Sequence, residues 1–524
     1  VNKIYLDAYT QEVNAAGESY PLAKSQFDNL MSNGVLFMNY SGHGGYNNIT
    51  NELFMSTKDI QRMTNANQGF WFLATCSFSH FDGGIPSAGE EAVLNPNGGA
   101  IGVLSACRTV YATQNTIINR NLCDTLFGHQ NLFSYNMTLG EATRITKNMT
   151  GRDANKMAYV LLGDPAIRLN YPTDYQVVTT TKMDTLQALT IQTIKGYIQS
   201  PEGDTATWFN GYLDVTIFDK MQQITTRDND ATDEASKVKI TYNDYPNTLF
   251  AGKTSIQDGL FEYTFMVPKD IRYNYGNGRI VYYACDEEAR EEGVGHFEDF
   301  IIGGSSSVEI IDTLGPEINL YLNNPAFVDG SQTYEYPHFY ANIYDENGIN
   351  TVGTGIGHDL LLIVDEDPKM TYVLNDYFIA QNNSYQQGLV SYKMPEMEEG
   401  QHSLTFRAWD LINNSNTEML NFQVVKGLDP NIYQVVTYPN PVASTETLNI
   451  RIEFDQPDEV IQTTIYLYDL SGRLVKEHQQ KGTTGIQWNL SEMNVQPGIY
   501  VYNVKIKSST SNYVSKAGKI IVCE

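Results

Sequence analysis

Two side chains in the first hundred residues have the types and surroundings for nucleophilic chemistry. Cys76 closes the apolar run Phe70-Trp71-Phe72-Leu73-Ala74-Thr75, and His43 closes an earlier one, Val35-Leu36-Phe37-Met38-Asn39-Tyr40-Ser41-Gly42. A thiol with the free-cysteine pKa of about 8.5 is mostly protonated at neutral pH, so a nucleophilic cysteine needs a base that takes its proton and later returns it to a leaving amine. An imidazole does both. Gly42, Gly44 and Gly45 leave the main chain around the histidine bare enough to approach a substrate, and the amides of Gly44 and Cys76 can point at a developing oxyanion. Each residue alone has a blander reading. A lone cysteine is usually a small buried hydrophobe, and a lone histidine beside glycines is usually a loop residue. Their matched placement at two strand ends makes a cysteine peptidase the leading hypothesis.

The elements that must position this pair can be read from the same stretch. Each apolar run is long enough for one buried strand, and Ser56-Thr57-Lys58-Asp59 begins a capped helix that runs to about Met63. A strand–helix–strand unit puts both C-terminal strand ends on one edge of a parallel sheet, where open α/β sheets keep their sites. Ile101 to Cys107 reads as a further buried strand, and Thr116 to Phe127 and Leu139 to Met149 have the apolar spacing of covering helices. The loop from Ser77 to Ala88 carries His80 and Asp82 and is expected to shape a substrate cleft, with Arg108 and Tyr111 at the same edge. Arg108 can bind a substrate carboxylate, although a salt bridge to a local acid is the stronger reading for a single arginine. Cys76 and His80 are half a metal site without a second ligand pair, so no metal is expected there.

The segments Asn39-Tyr40-Ser41-Gly42-His43-Gly44 and Ala74-Thr75-Cys76-Ser77-Phe78-Ser79, with 33 residues (76 − 43) from histidine to cysteine, resemble the gingipain branch of the caspase-like cysteine peptidases. Phe81-Asp82 and the closing Leu162-Gly163-Asp164-Pro165-Ala166-Ile167-Arg168-Leu169 are similar to the branch's type IX secretion sortases. The resemblance implies that Cys76 is the nucleophile, that His43 is general base and acid, and that no cofactor is required. It also places the carboxylate that orients the histidine, and part of the specificity pocket, upstream of Val1. No third catalytic residue is therefore named. Val1 to Leu6 reads as a short strand entered abruptly, as expected of a piece of a longer exported chain.

Composition sets the outer limits. A chain of 524 residues is too long for one core. Lys plus Arg 34 against Asp plus Glu 61 gives a net charge of −27, which argues against nucleic acid or an anionic membrane surface as partner. Thirty-five tyrosines and 41 glycines suit strand-rich, turn-rich extracellular domains. No apolar run approaches bilayer-spanning length. The five cysteines, at 76, 107, 123, 285 and 523, form neither a CxxC zinc pair nor a close-set disulfide framework. Cys123 is left as either a core residue or a bridge partner.

The expected fold is multidomain α+β: a caspase-like α/β catalytic subdomain over residues 1–172, then β-sandwich (Ig-like) units over 173–307, 308–426 and 427–524. Alternating segments such as Leu189-Thr190-Ile191-Gln192-Thr193-Ile194 mark the second unit as an antiparallel sandwich. Its acidic patches Asp228-Asn229-Asp230 and Asp286-Glu287-Glu288 are candidates for structural calcium, but without EF-hand-like spacing the solvated-loop reading is favoured. In the third unit Asp345 and Asp410 should cap turns, and His358, in Gly355-Ile356-Gly357-His358-Asp359, has no matched cysteine strand and reads as structural. The last unit's Tyr438-Pro439-Asn440-Pro441, Gly498-Ile499-Tyr500-Val501-Tyr502 and Lys519-Ile520-Ile521-Val522 resemble the C-terminal signal domain of type IX secretion cargo. That resemblance implies a bacterial cell-surface location and docking on outer-membrane secretion components. The sortase resemblance of the first unit, in turn, implies protein substrates that carry such signal domains and a surface glycolipid as amine acceptor. A secreted endopeptidase that is itself cargo, and an inactive surface-binding scaffold, remain as alternatives.

Overall fold

The computed structural model describes residues 1–14, 17–52, 54–128, 137–172, 174–183, 185–229, 238–307, 310–352, 357–428, 432–454, 461–482, 485–489, 495–507 and 512–523. Asp230, Gly355 and Ile356 lie outside them. The first unit is built on four strands, β1 (Phe37–Ser41), β2 (Gly69–Ala74), β3 (Ala100–Ala106) and β4 (Tyr159–Gly163), paired in that order. The first three run parallel, and β4 returns antiparallel to β3.

The continuous apolar run of β2 follows from burial on both faces. Successive side chains point to opposite sides of a strand, so Trp71 and Leu73 enter one core and Phe70, Phe72 and Ala74 the other. Three helices, α1 (Pro21–Asn33), α2 (Thr57–Gln61) and α3 (Ala88–Leu94), cover the first face. Two more, α4 (Ala112–Phe127) and α5 (Leu139–Met149), cover the second. Both α2 and α3 begin with a capping box, Ser56 with Asp59 and Ser87 with Glu90, which satisfies amides at each N-terminus.

Residues 1–5 are not a strand. A 3-10 turn, Leu6–Ala8, follows them, and its polar groups are taken by the second unit instead of a sheet partner. Asp7 accepts from the amides of Asp228 and Asn229 at 2.9 and 2.7 Å, and Arg227 donates its amide to the Asp7 carbonyl at 2.7 Å.

Among the described residues, each β-rich unit has its own large hydrophobic core, over Tyr175 to Ile302, Leu322 to Val424 and Val442 to Val522, and a small cluster of Met266, Leu411 and Ile412 lies between the second and third. The second unit differs from a simple sandwich because its main sheet closes on itself. Tyr175–Thr179 pairs antiparallel with Ile191–Gln199 on one side and, through Tyr175 and Gln176, parallel with Gly293 and Val294 on the other. Closure hides both edges that a flat sheet would leave unpaired. The third unit stacks a four-stranded on a five-stranded sheet, and the fourth a three-stranded on a six-stranded one. No helix among the described residues is long and apolar enough to cross a membrane.

Candidate active site

Strand register brings the two candidate residues to one place. Phe37 stands beside Phe70 and Ser41 beside Ala74, a constant offset of 33 (70 − 37 and 74 − 41). The same interval separates His43 from Cys76. Each therefore sits two residues beyond the last rung of its strand, on adjacent strands whose usual spacing is about 4.8 Å. Gly42 extends the contact by donating its amide to the Ala74 carbonyl at 3.4 Å.

The His43 loop is held by its backbone. Its carbonyl accepts from Tyr40 Oη at 2.6 Å and from the Thr50 amide at 2.9 Å, and Gly44 bridges Ile49. Burial pushes the Tyr40 hydroxyl up to about 12, so it remains a donor across the physiological range. The imidazole is exposed and, among the described residues, makes no hydrogen bond, either to a carboxylate or to Cys76. Gly44 packs directly on Thr75, where an added Cβ would stand 2.6 Å from Thr75 Oγ1. A glycine is required here by the closeness of the two strand ends.

Cys76 is half-buried on the α4 side, and its Sγ lies 3.5 Å from both the amide nitrogen and the carbonyl oxygen of Val110. Ser77 follows it with φ of 55°, a left-handed conformation unusual for a residue with a Cβ. This turns the chain sharply, so that Ser77 and Ser79 donate their amides to the Arg108 and Ala106 carbonyls, each at 3.1 Å. The Gly44 and Cys76 amides donate to no acceptor among the described residues, as oxyanion donors require.

The remaining candidates separate. His80, Asp82 and Arg108 come together, with Arg108 forking onto Asp82 at 2.9 and 2.5 Å and His80 Nε2 3.4 Å from Asp82. The hydrogen bond from Arg108 holds the Asp82 carboxyl below its usual range. The guanidinium thus has a local acid as partner, the stronger of its two readings. Tyr111 opens α4 with its side chain 73% exposed. All five cysteines are free, and Cys123 is no bridge partner but a half-buried thiol facing Asn39 and Asn119. His358 pairs with Asp270 at 2.6 Å and lies against Trp409, away from the site.

Asp286 spends both carboxylate oxygens on the amides of Asn210, Glu288 and Ala289, as a turn-capping residue does. Asp345 and Asp410 also cap turns, through the amides of Asn347, Ile412 and Asn414. With Asp312 they form a group whose carboxylate oxygens lie within 4.8 Å of one another. Sequence reasoning missed this grouping because its members are far apart in the chain. It missed Val110 because only backbone atoms there touch the sulphur.

The class follows from the family that this frame of strands and helices matches. Residues 1–170 match Peptidase family C25, and residues 436–522 match the secretion system C-terminal sorting domain. The first unit is accordingly a gingipain-family cysteine peptidase region, and the sorting domain marks the chain for secretion to the cell surface by the type IX system. Among solved structures the chain is similar to dimeric latent PorU from Porphyromonas gingivalis, with 27% identity over 98% of this chain and 47% of that one, at a TM-score of 0.34. It thus spans about half the length of that relative. The Arg-specific cysteine proteinase gingipain R is 14% identical over 53% of this chain and 56% of its own, at a TM-score of 0.26. A three-Ig segment of titin is 13% identical over 66% of this chain and 99% of its own, at 0.14. No curated protein matches the chain.

Proposed function

We propose that this chain is part of a cell-surface sortase of the PorU kind, which cleaves C-terminal signal domains from type IX secretion cargo. The observation that carries the reading is the register that sets His43 and Cys76 at equivalent positions on adjacent strands, with the Gly44 and Cys76 amides unspent beside them. In the proposed reaction His43 takes the Cys76 proton and the sulphur attacks the scissile carbonyl. The two amides receive the charge on the carbonyl oxygen. The C–N bond then breaks, His43 gives its proton to the leaving amine, and a thioester remains. Water resolves it to a carboxylate, or the amine of a surface glycolipid resolves it to an amide. No metal or other cofactor enters, and calcium, if taken up, would be structural. His80, Asp82, Arg108 and Tyr111 would be the residues that contact the substrate on either side of the scissile bond.

The chain also carries a sorting domain of its own, which favours a second reading as a secreted endopeptidase that is itself cargo. The test uses the intact protein with a cargo substrate. Cys76→Ala and His43→Ala should each abolish signal-domain release, and mass spectrometry of the native C-terminus should find residues 436–522 still attached. Release at the native rate by Cys76→Ala sinks the peptidase reading. A mature form ending before residue 436 makes the chain cargo instead of sortase.

A further inference from the structure

Behind the Cys76 edge lies a polar group more deeply buried than the site itself. Asn115, in the first turn of α4, and Asn155, which opens a short helix (Asn155–Ala158), are each 6% exposed, and Tyr159 at the start of β4 is wholly buried. Asn155 Oδ1 accepts from the Tyr111 amide at 3.2 Å, and its Nδ2 donates to the Tyr111 carbonyl at 3.0 Å and to Asn115 Oδ1 at 3.2 Å. Tyr159 Oη donates to the same Asn115 oxygen at 2.8 Å, and burial raises its pKa, which keeps its proton in place. The network therefore has one consistent arrangement of donors and acceptors, and both amides are oriented by it.

What the network holds is the peptide plane between Val110 and Tyr111. A trans peptide points its N–H and C=O in opposite directions. The N–H of this one goes to Asn155, and its C=O faces Cys76 Sγ at 3.5 Å. Val110's own N–H approaches the sulphur at 3.5 Å from the neighbouring plane. Once the thiol proton has moved to His43, the S–H contact to the Val110 carbonyl is gone and the Val110 N–H remains as a donor to the thiolate. That bond is useful only while the backbone beside it is kept in place.

We propose that Asn155 is a positioning residue for Cys76, setting the Val110–Tyr111 backbone on which the sulphur is seated, with Asn115 and Tyr159 fixing the orientation of its carboxamide. The proposal rests on the reading of Cys76 as nucleophile. In the intact protein, the rate of Cys76 alkylation by iodoacetamide is measured from pH 5 to 10 by peptide mapping, alongside kcat and KM for a peptide substrate. Native protein is compared with His43→Ala, Asn155→Ala and Tyr159→Phe. Asn155→Ala should raise the midpoint of the Cys76 profile by about one unit, slow its alkylation at pH 7 about tenfold, and lower kcat with little change in KM. The other four cysteines should react as before. Tyr159→Phe leaves Asn115 Oδ1 with its Asn155 donor and should give a smaller shift in the same direction, about threefold.

A native Cys76 profile and native kcat in folded Asn155→Ala overturn the proposal while leaving the nucleophile reading intact. If Asn155→Ala does not fold, Tyr159→Phe decides, and an unchanged profile there is equally fatal. Should native Cys76 titrate as an ordinary thiol indifferent to His43→Ala, the nucleophile reading fails first and takes this proposal with it.

Discussion

Replacing Gly44 by alanine tests whether the two strand ends are as close as the structure places them. The added Cβ would stand 2.6 Å from Thr75 Oγ1, 3.0 Å from the Asn48 carbonyl oxygen and 3.3 Å from Thr75 Cγ2. Neither neighbour yields easily. Thr75 is wholly buried between Ala74 and Cys76, and the Asn48 carbonyl is tied to the Gly45 amide at 2.9 Å. Because Gly44 does not have a positive φ, the cost is steric alone. Overpacking of this kind typically costs about 1–3 kcal/mol. If the loop absorbs it by shifting, His43 moves relative to Cys76, and a displacement near 1 Å lowers turnover on the order of 100-fold.

Thr75→Ala removes two of the three contacts together with a buried hydroxyl that has no hydrogen-bond partner among the described residues, so Gly44→Ala/Thr75→Ala should recover much of both losses. The expected coupling in the double-mutant cycle is about 1–2 kcal/mol. Thermal melts and kcat/KM of the four proteins are the assay. A Gly44→Ala protein with native melting temperature and native turnover, or a strictly additive double mutant, refutes the close approach on which the site rests.

At Ser77, φ of 55° is disfavoured for any residue with a Cβ and most of all for a β-branched one. Ser77→Gly should leave the melting temperature unchanged or raise it, whereas Ser77→Val should cost more than about 1 kcal/mol and slow Cys76 alkylation. Equal melts for the two variants would remove the strained turn from the account. In the third unit, burial, with the Asp410 and Asp312 charges acting in the same direction, pushes the Asp345 carboxyl up to about 6. The folded form then binds a proton more tightly than the unfolded one, so stability should rise as pH falls from about 7 through 6 and level off below the ordinary carboxylate pKa of about 3.9. Asp345→Asn should flatten that part of the profile and raise the melting temperature at pH 8. Parallel profiles for native and variant protein would show that Asp345 ionises normally.

Much of the site was legible because it depends on local pattern. Apolar runs ending in a histidine and a cysteine, joined by a capped helix, specify parallel neighbours with both ends on one edge, and Ser56 and Asp59 form the expected capping box. Helices over Ala112–Phe127 and Leu139–Met149 follow the apolar spacing read for them. The N-terminal strand expected over Val1 to Leu6 failed for the opposite reason. A short extended segment has no fate of its own, and Asp7 instead found its donors in a loop some 220 residues away.

The sequence alone determined the chemistry on offer: a thiol, an imidazole and bare backbone between them, on strands whose two-sided burial shows as unbroken apolar runs. Tertiary structure decided what those groups touch. Only the pairing of β1 with β2 at an offset of 33 shows that the His43–Cys76 interval is the sheet register itself. Only packing puts the Val110 backbone against the sulphur, gives Arg108 to Asp82, and gathers Asp312, Asp345 and Asp410. Such contacts join residues from about 26 to 98 positions apart in the chain. Local periodicity sets the face each residue presents, while the partner on that face comes from the long-range packing of the elements.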